Sequence, residues 1–192
     1  MLILMSISKN QLKKERLKEV IWYICENYNQ QLYETKLWKL AFFCDTDYFQ
    51  KYEKPLTEVA YIKNKRGPTP VYNIAKEAIG ELIENGYIVK ADTGAYVAIK
   101  EYPLQYLEAT QIDAINTTCD KYYKLSVNQI CTLAHRDPVY LAAEKANEVL
   151  DFSFVAYRDD GGNGENEETE ELPKDVTFSE KAQESLLRML TA

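Results

Sequence analysis

YIKNKRGPTPVYNIA, residues 61–75, joins an extended segment to a helix through two prolines and a glycine, and its reading decides where the rest of the chain is placed. Thr69 is suited to cap a helix whose first residue is Pro70, because a threonine oxygen accepts from orphan amides and proline lacks only an N–H that would go unbonded there. A helix is therefore predicted from Pro70. Gly67 reaches backbone angles closed to other residues, and Pro68 turns Gly67 away from helical geometry, so residues 65–68 are expected to form a defined bend.

Upstream, residues 34–51 read as a helix that is apolar nearly all round: Leu37, Leu40, Ala41, Cys44 and Tyr48 make one stripe, and Trp38, Phe42, Phe43 and Phe49 make others. Such a helix belongs in the middle of a core. Asp45 sits between the stripes, and a carboxylate there needs donors, so it is expected to cap or brace a neighbouring segment. A helix over residues 10–29 precedes it, with Leu17, Val20, Ile21, Ile24, Cys25 and Tyr28 on one face. Lys13, Lys14, Arg16 and Lys18 lie mostly off that face, interleaved with Glu15 and Glu19, and are expected to be solvated.

Downstream, Ile74, Ala75, Ala78, Ile79, Leu82 and Ile83 keep helical spacing until Asn85-Gly86 stops it. YIVKA and AYVAIK around Asp92-Thr93-Gly94 predict a β-hairpin. Helix then hairpin is the outline of a winged helix, yet Glu77, Glu81 and Glu84 outnumber Lys76 on the exposed positions and would repel a DNA groove. Further helices are predicted over 109–123, from the Ser126/Gln129 capping box, and from Asp137-Pro138 towards Val149. Leu150, Phe152, Phe154 and Val155 suggest a short strand beside the hairpin. The predicted fold is α+β and mostly α: about six helices around a central apolar helix, with one small hairpin.

A length of 192 residues accommodates one buried domain plus an appendage. The expected division is a domain at 1–157, an acidic linker at 158–176 and an amphipathic helix at 177–192, the last carrying Phe178, Ala182, Leu186, Met189 and Leu190 on one face. That helix either docks on its own domain or serves a partner. Of the net charge of −7, residues 158–171 hold −6, which leaves the body nearly neutral. A nearly neutral body has no general attraction for phosphates, so nucleic acid is not an expected partner. The opening MLILMSI lacks the basic start and cleavage site of a leader, and no stretch approaches the roughly 20 apolar residues of a membrane span, so a cytoplasmic protein with no membrane partner is expected. The cysteines, Cys25, Cys44, Cys119 and Cys131, lie in apolar segments without metal spacing, as buried free thiols do. No metal and no cofactor are expected. Asp45 and His135 lack the nucleophile, phosphate loop or ligand cluster that would make them an active site, and His135 is expected to bond a carbonyl at a helix end. No enzyme is predicted.

LWKLAFFCDTDYFQKYEKPLTEVAYIKNKRGPTPVYN and LSVNQICTLAHRDPVYLAAEKANEVLDF together resemble the Panacea domain, the SocA-like antitoxin domain of bacteria and their phages and prophages. Lys39, Leu40 and Asp45 match its lysine-leucine helix with an aspartate; Pro55, Leu56 and Thr57 match P-[LI]-T; Tyr61, Gly67, Pro68 and Pro70 match the aromatic and the Gly-Pro-x-Pro bend. Leu133, His135, Asp137 and Pro138 match the second block, with Ala134 replacing the usual hydroxyl residue and Arg66 replacing a common aromatic. The resemblance implies structural roles for Lys39, Asp45, Tyr61, Gly67, Pro68, Pro70 and His135. It also implies an antitoxin that binds the toxin made from the neighbouring gene. Family toxins include tRNA-modifying and alarmone-synthesising enzymes, and one branch resembles adaptors that deliver the toxin to a protease. Candidate toxin contacts are Lys63, Lys65 and Arg66 on the bend, and Phe178, Leu186, Met189 and Leu190 beyond the linker. Fifteen tyrosines suit a protein-binding surface.

Overall fold

The computed structural model describes residues 7–28 and 32–158. The acidic linker and the C-terminal helix, with Phe178, Leu186, Met189 and Leu190, lie outside these residues, as does the opening MLILMS. The chain to Val155 falls into one compact unit, and the unit that begins at Ala156 is described only as far as Arg158.

Ser8 starts α1 (Lys9–Asn27) by accepting from the Gln11 amide at 3.2 Å. Next comes α2 (Glu34–Tyr52), in which Leu37, Leu40, Ala41 and Phe42 are completely buried, as expected of a helix with apolar stripes all round. It packs against α4 (Ala109–Tyr122), α5 (Val127–Arg136) and α1, while α3 (Tyr72–Glu84) packs against α1. The described residues are mostly helical, with two small antiparallel strand pairs, so the α+β, mostly α fold stands. The predicted hairpin is β3 (Ile88–Lys90) with β4 (Tyr96–Ala98), in the register Val89 opposite Val97. Both capping devices of the second half are present. Ser126 and Gln129 reciprocate at the start of α5, and Asp137 accepts from the Val139 amide at 2.9 Å to start α6 (Pro138–Ala142). All four cysteines are free, and three of them are buried.

Three expectations fail locally. Thr69 and Pro70 do not open α3. They form a two-residue strand, β2, paired with β1 (Tyr61–Ile62), and the helix starts at Tyr72 behind an N-cap, Val71, whose amide is taken by the Ala60 carbonyl at 2.9 Å. Pairing across the bend thus outweighs the local capping signal. The helix from Pro138 ends at Ala142, because the Glu148 carboxylate collects the amides of Glu144 and Lys145 and Asn147 turns left-handed at φ 64°. Residues after Val149 leave the β3–β4 hairpin alone. Val149 bridges Ile62, the Leu150 amide donates to the Tyr61 carbonyl at 2.8 Å, and a 3-10 turn (Phe152–Tyr157) follows. Phe152 from that turn packs edge-on against Phe42 and Phe49.

The bases of α1 also differ from expectation. Lys14 and Lys18 reach Glu81 of α3 at 2.5 and 2.8 Å, Arg16 reaches Glu58 at 2.7 Å, and Lys18 is buried. Much of the acidic charge predicted to face solvent on α3 is therefore spent on α1. Glu19, likewise expected to be solvated, is fully buried and accepts from the amides of Gln105, Tyr106 and Leu107.

Candidate functional site

The polar residues of α2 organise the site. Asp45 is completely buried in the apolar helix and accepts from the Thr57 amide at 2.6 Å, the Thr57 hydroxyl at 2.6 Å and the Tyr61 hydroxyl at 2.9 Å. It braces the segment that enters the bend. Burial pushes its pKa up to about 6 from 3.8, against the pull of the hydrogen bonds from Thr57 and Tyr61. Tyr61 is itself wholly buried and stands edge-on to Phe42.

Six residues before Asp45 on the same helix, Lys39 lies under the bend and donates to the Pro68 carbonyl at 2.6 Å. Gly67 above it has φ +91°, and a Cβ there would stand 2.8 Å from Lys39 Cε. Only glycine lets the bend and the lysine stem approach so closely. His135, at the end of α5, sets Nε2 3.3 Å from the Lys65 carbonyl and its ring edge-on to Tyr140, whose hydroxyl donates to the Asn64 carbonyl at 2.8 Å. Burial lowers the His135 pKa, and nearby Lys39 adds to the lowering. Carbonyls of a single bend are thus held by side chains from α2, α5 and α6. Asp45 and His135 serve different segments and are not bonded to each other. Among the described residues no group of His, Cys, Asp or Glu side chains could hold a metal ion.

The remaining sequence candidates face outward to different degrees. Lys65 and Arg66 are exposed, whereas Lys63 is half-buried, donates to the Ala143 carbonyl and stands 4.9 Å over the Tyr140 ring. Beside Arg66 a groove of about 600 Å³ runs between the start of α2, the bend, the first turns of α3 and Tyr96 of the hairpin. Its walls include Trp38, Lys39, Arg66, Tyr72 and Lys76. Sequence reading missed Tyr72 as a site residue. The available signal was its place just after the bend, three residues before Ala75 and seven before Ile79 on the same side of α3.

A family model described as antitoxin SocA-like, Panacea domain, matches residues 37–139, more than half of the 192. The chain belongs to this family. No curated protein and no solved structure matches it. The Panacea segment opens in α2 just before Lys39 and closes at Val139, so it takes in Lys39, Asp45, Thr57, Tyr61, the Gly-Pro bend and His135. Tyr140, which also holds the bend, lies one residue beyond the matched segment. Among the described residues, no helix is long and apolar enough to cross a membrane.

Proposed function

We propose that this Panacea protein is a cytoplasmic antitoxin that neutralises its cognate toxin by direct binding, without catalysis. The observation that carries this reading is the division of labour at the bend. Its motif side chains face inward and hold backbone carbonyls and amides, while Lys65, Arg66 and Tyr72 stand outside it, with Tyr72 65% exposed. A scaffold presenting cations with no ion pair among the described residues, and an aromatic, is suited to protein recognition, where arginine and tyrosine concentrate binding energy. The toxin is expected to be an enzyme such as a tRNA modifier or an alarmone synthetase. Residues 172–190, with Phe178, Leu186, Met189 and Leu190, are proposed to strengthen its capture; a chain of about 19 residues with coil statistics has a root-mean-square reach of about 25 Å.

Co-expression with the product of the neighbouring gene tests the proposal. The full chain should restore growth to cells making that product and should co-purify with it as a stable complex. Neither protection nor a complex would overturn the reading. Protection accompanied by disappearance of the toxin would move it to delivery for proteolysis. A chain ending at Tyr157 should protect less well, and equal protection would remove the C-terminal segment from the mechanism.

A further inference from the structure

The groove beside Arg66 has an excess of positive charge that no carboxylate balances among the described residues. Lys39 is 1% exposed, and its only hydrogen-bond partner among the described residues is the Pro68 carbonyl; no carboxylate lies within ion-pair distance of it. A buried ammonium without a counter-ion is costly, and burial indeed lowers its pKa to about 8. Arg66 and Lys76, both exposed, likewise have no ion pair among the described residues. Glu34, the carboxylate on the same walls, is already engaged with the Tyr96 hydroxyl at 3.4 Å and the Trp38 indole at 3.5 Å. The first turn of α3, at the groove's edge, carries no acidic residue and no side-chain cap, so its amides add to the positive field.

Resting on the antitoxin reading, we infer that this groove receives an acidic side chain from an extended segment of the partner protein, with Arg66 and Lys76 flanking the carboxylate, Lys39 beneath it and Tyr72 packed on the neighbouring residue. The volume suits a few side chains. A nucleotide fits less well: no second ring lies within stacking distance of Tyr72 among the described residues, and Trp38 and Tyr96 are 5% and 4% exposed, walls rather than stacking faces. The charge of the groove thus calls for an anion, and its single exposed ring calls for a peptide.

The test uses the full chain and the purified product of the neighbouring gene, with affinity measured by calorimetry at 50 and 300 mM NaCl. The double variant Arg66→Ser, Lys76→Ser should weaken binding at least tenfold and flatten its salt dependence. Neither side chain is bonded among the described residues, so an unchanged melting temperature should accompany the loss. The control double variant Lys51→Ser, Lys121→Ser removes exposed cations that line a second, smaller groove of about 390 Å³, and should bind as the wild type does. Replacing the partner's carboxylates by amides one at a time should yield one variant that reproduces the loss and adds nothing to the Arg66→Ser, Lys76→Ser background. Wild-type binding combined with a groove variant within twofold of it would overturn this inference and leave the antitoxin reading standing. No binding by the wild type would overturn the antitoxin reading first, and this inference with it.

Discussion

The two sides of the 61–70 bend use the same kinds of side chain for opposite ends. On the inside, Asp45, Lys39, His135 and Tyr140 are polar groups whose observed hydrogen bonds go to the protein's own backbone or a buried hydroxyl. On the outside, Lys65, Arg66 and Lys76 are exposed, and their side chains are bonded to nothing among the described residues. A polar group inside a core must be satisfied there, so it can specify a single conformation, whereas one outside is free to meet a partner. The motif residues named from the resemblance, Lys39, Asp45, Tyr61, Gly67 and His135, stand on the inside, and the proposed function assigns partner choice to the exposed positions.

Removing Asp45 should break the inside most severely. Asp45→Ala leaves the Thr57 amide, the Thr57 hydroxyl and the Tyr61 hydroxyl without their acceptor in a dry core, at a cost of about 4 kcal/mol in urea unfolding. A loss below about 1 kcal/mol would mean that the brace is dispensable. The same residue carries a pH signature. Its folded pKa, about 6, lies above the ordinary 3.8, so the folded state binds the extra proton between these values. Stability from this group is complete below the unfolded pKa and is lost as pH rises through about 6. The difference between wild type and Asp45→Asn should therefore change by about 3 kcal/mol between pH 4 and 7, and a flat difference would contradict the raised pKa.

Lys39 offers the mirror case. Its folded pKa, about 8, lies below the ordinary 10.5, so the unfolded chain binds more protons between those values and stability rises with pH across that window. Against Lys39→Met, which cannot titrate, the wild type should gain about 3 kcal/mol between pH 7.5 and 10.5. Equal slopes for the two proteins would place the ammonium in water. Gly67→Ala comes next in size. At φ +91° with Lys39 Cε in the way, an added methyl should cost about 2 kcal/mol of stability, read as a lowered melting temperature.

How much of this was legible depended on how local the signal is. The all-round apolar α2, the Asp92-Thr93-Gly94 hairpin and the Ser126/Gln129 capping box are written within a few residues, and each stands where it was read. Asp45 as a brace was legible because a carboxylate in an apolar helix needs donors. Its donors, 12 and 16 positions away, could not be named in advance by periodicity. Thr69-Pro70 misled because cap-then-proline and strand-then-proline look alike in sequence; the choice lies with Ala60, on the other side of the bend. The lysines of α1 misled for the same reason, since their partner Glu81 is 63 and 67 residues distant. The groove was not legible at all, because its walls come from four separate elements.

The smallest effect on folding belongs to the outside of the bend, and it separates the two surfaces most cleanly. Lys65→Glu with Arg66→Glu alters two exposed side chains that brace nothing among the described residues, so stability should move by less than about 0.5 kcal/mol. Toxin protection should nevertheless fail, because a reversed charge meets the partner's carboxylate as repulsion rather than as a lost attraction. Lys63 is better left out of this variant. Its amino group holds the Ala143 carbonyl, so reversing it would disturb the inside as well as the outside. If the double reversal destabilised the fold by as much as Gly67→Ala, the bend would have no free side, and the separation of scaffold from recognition surface would fall.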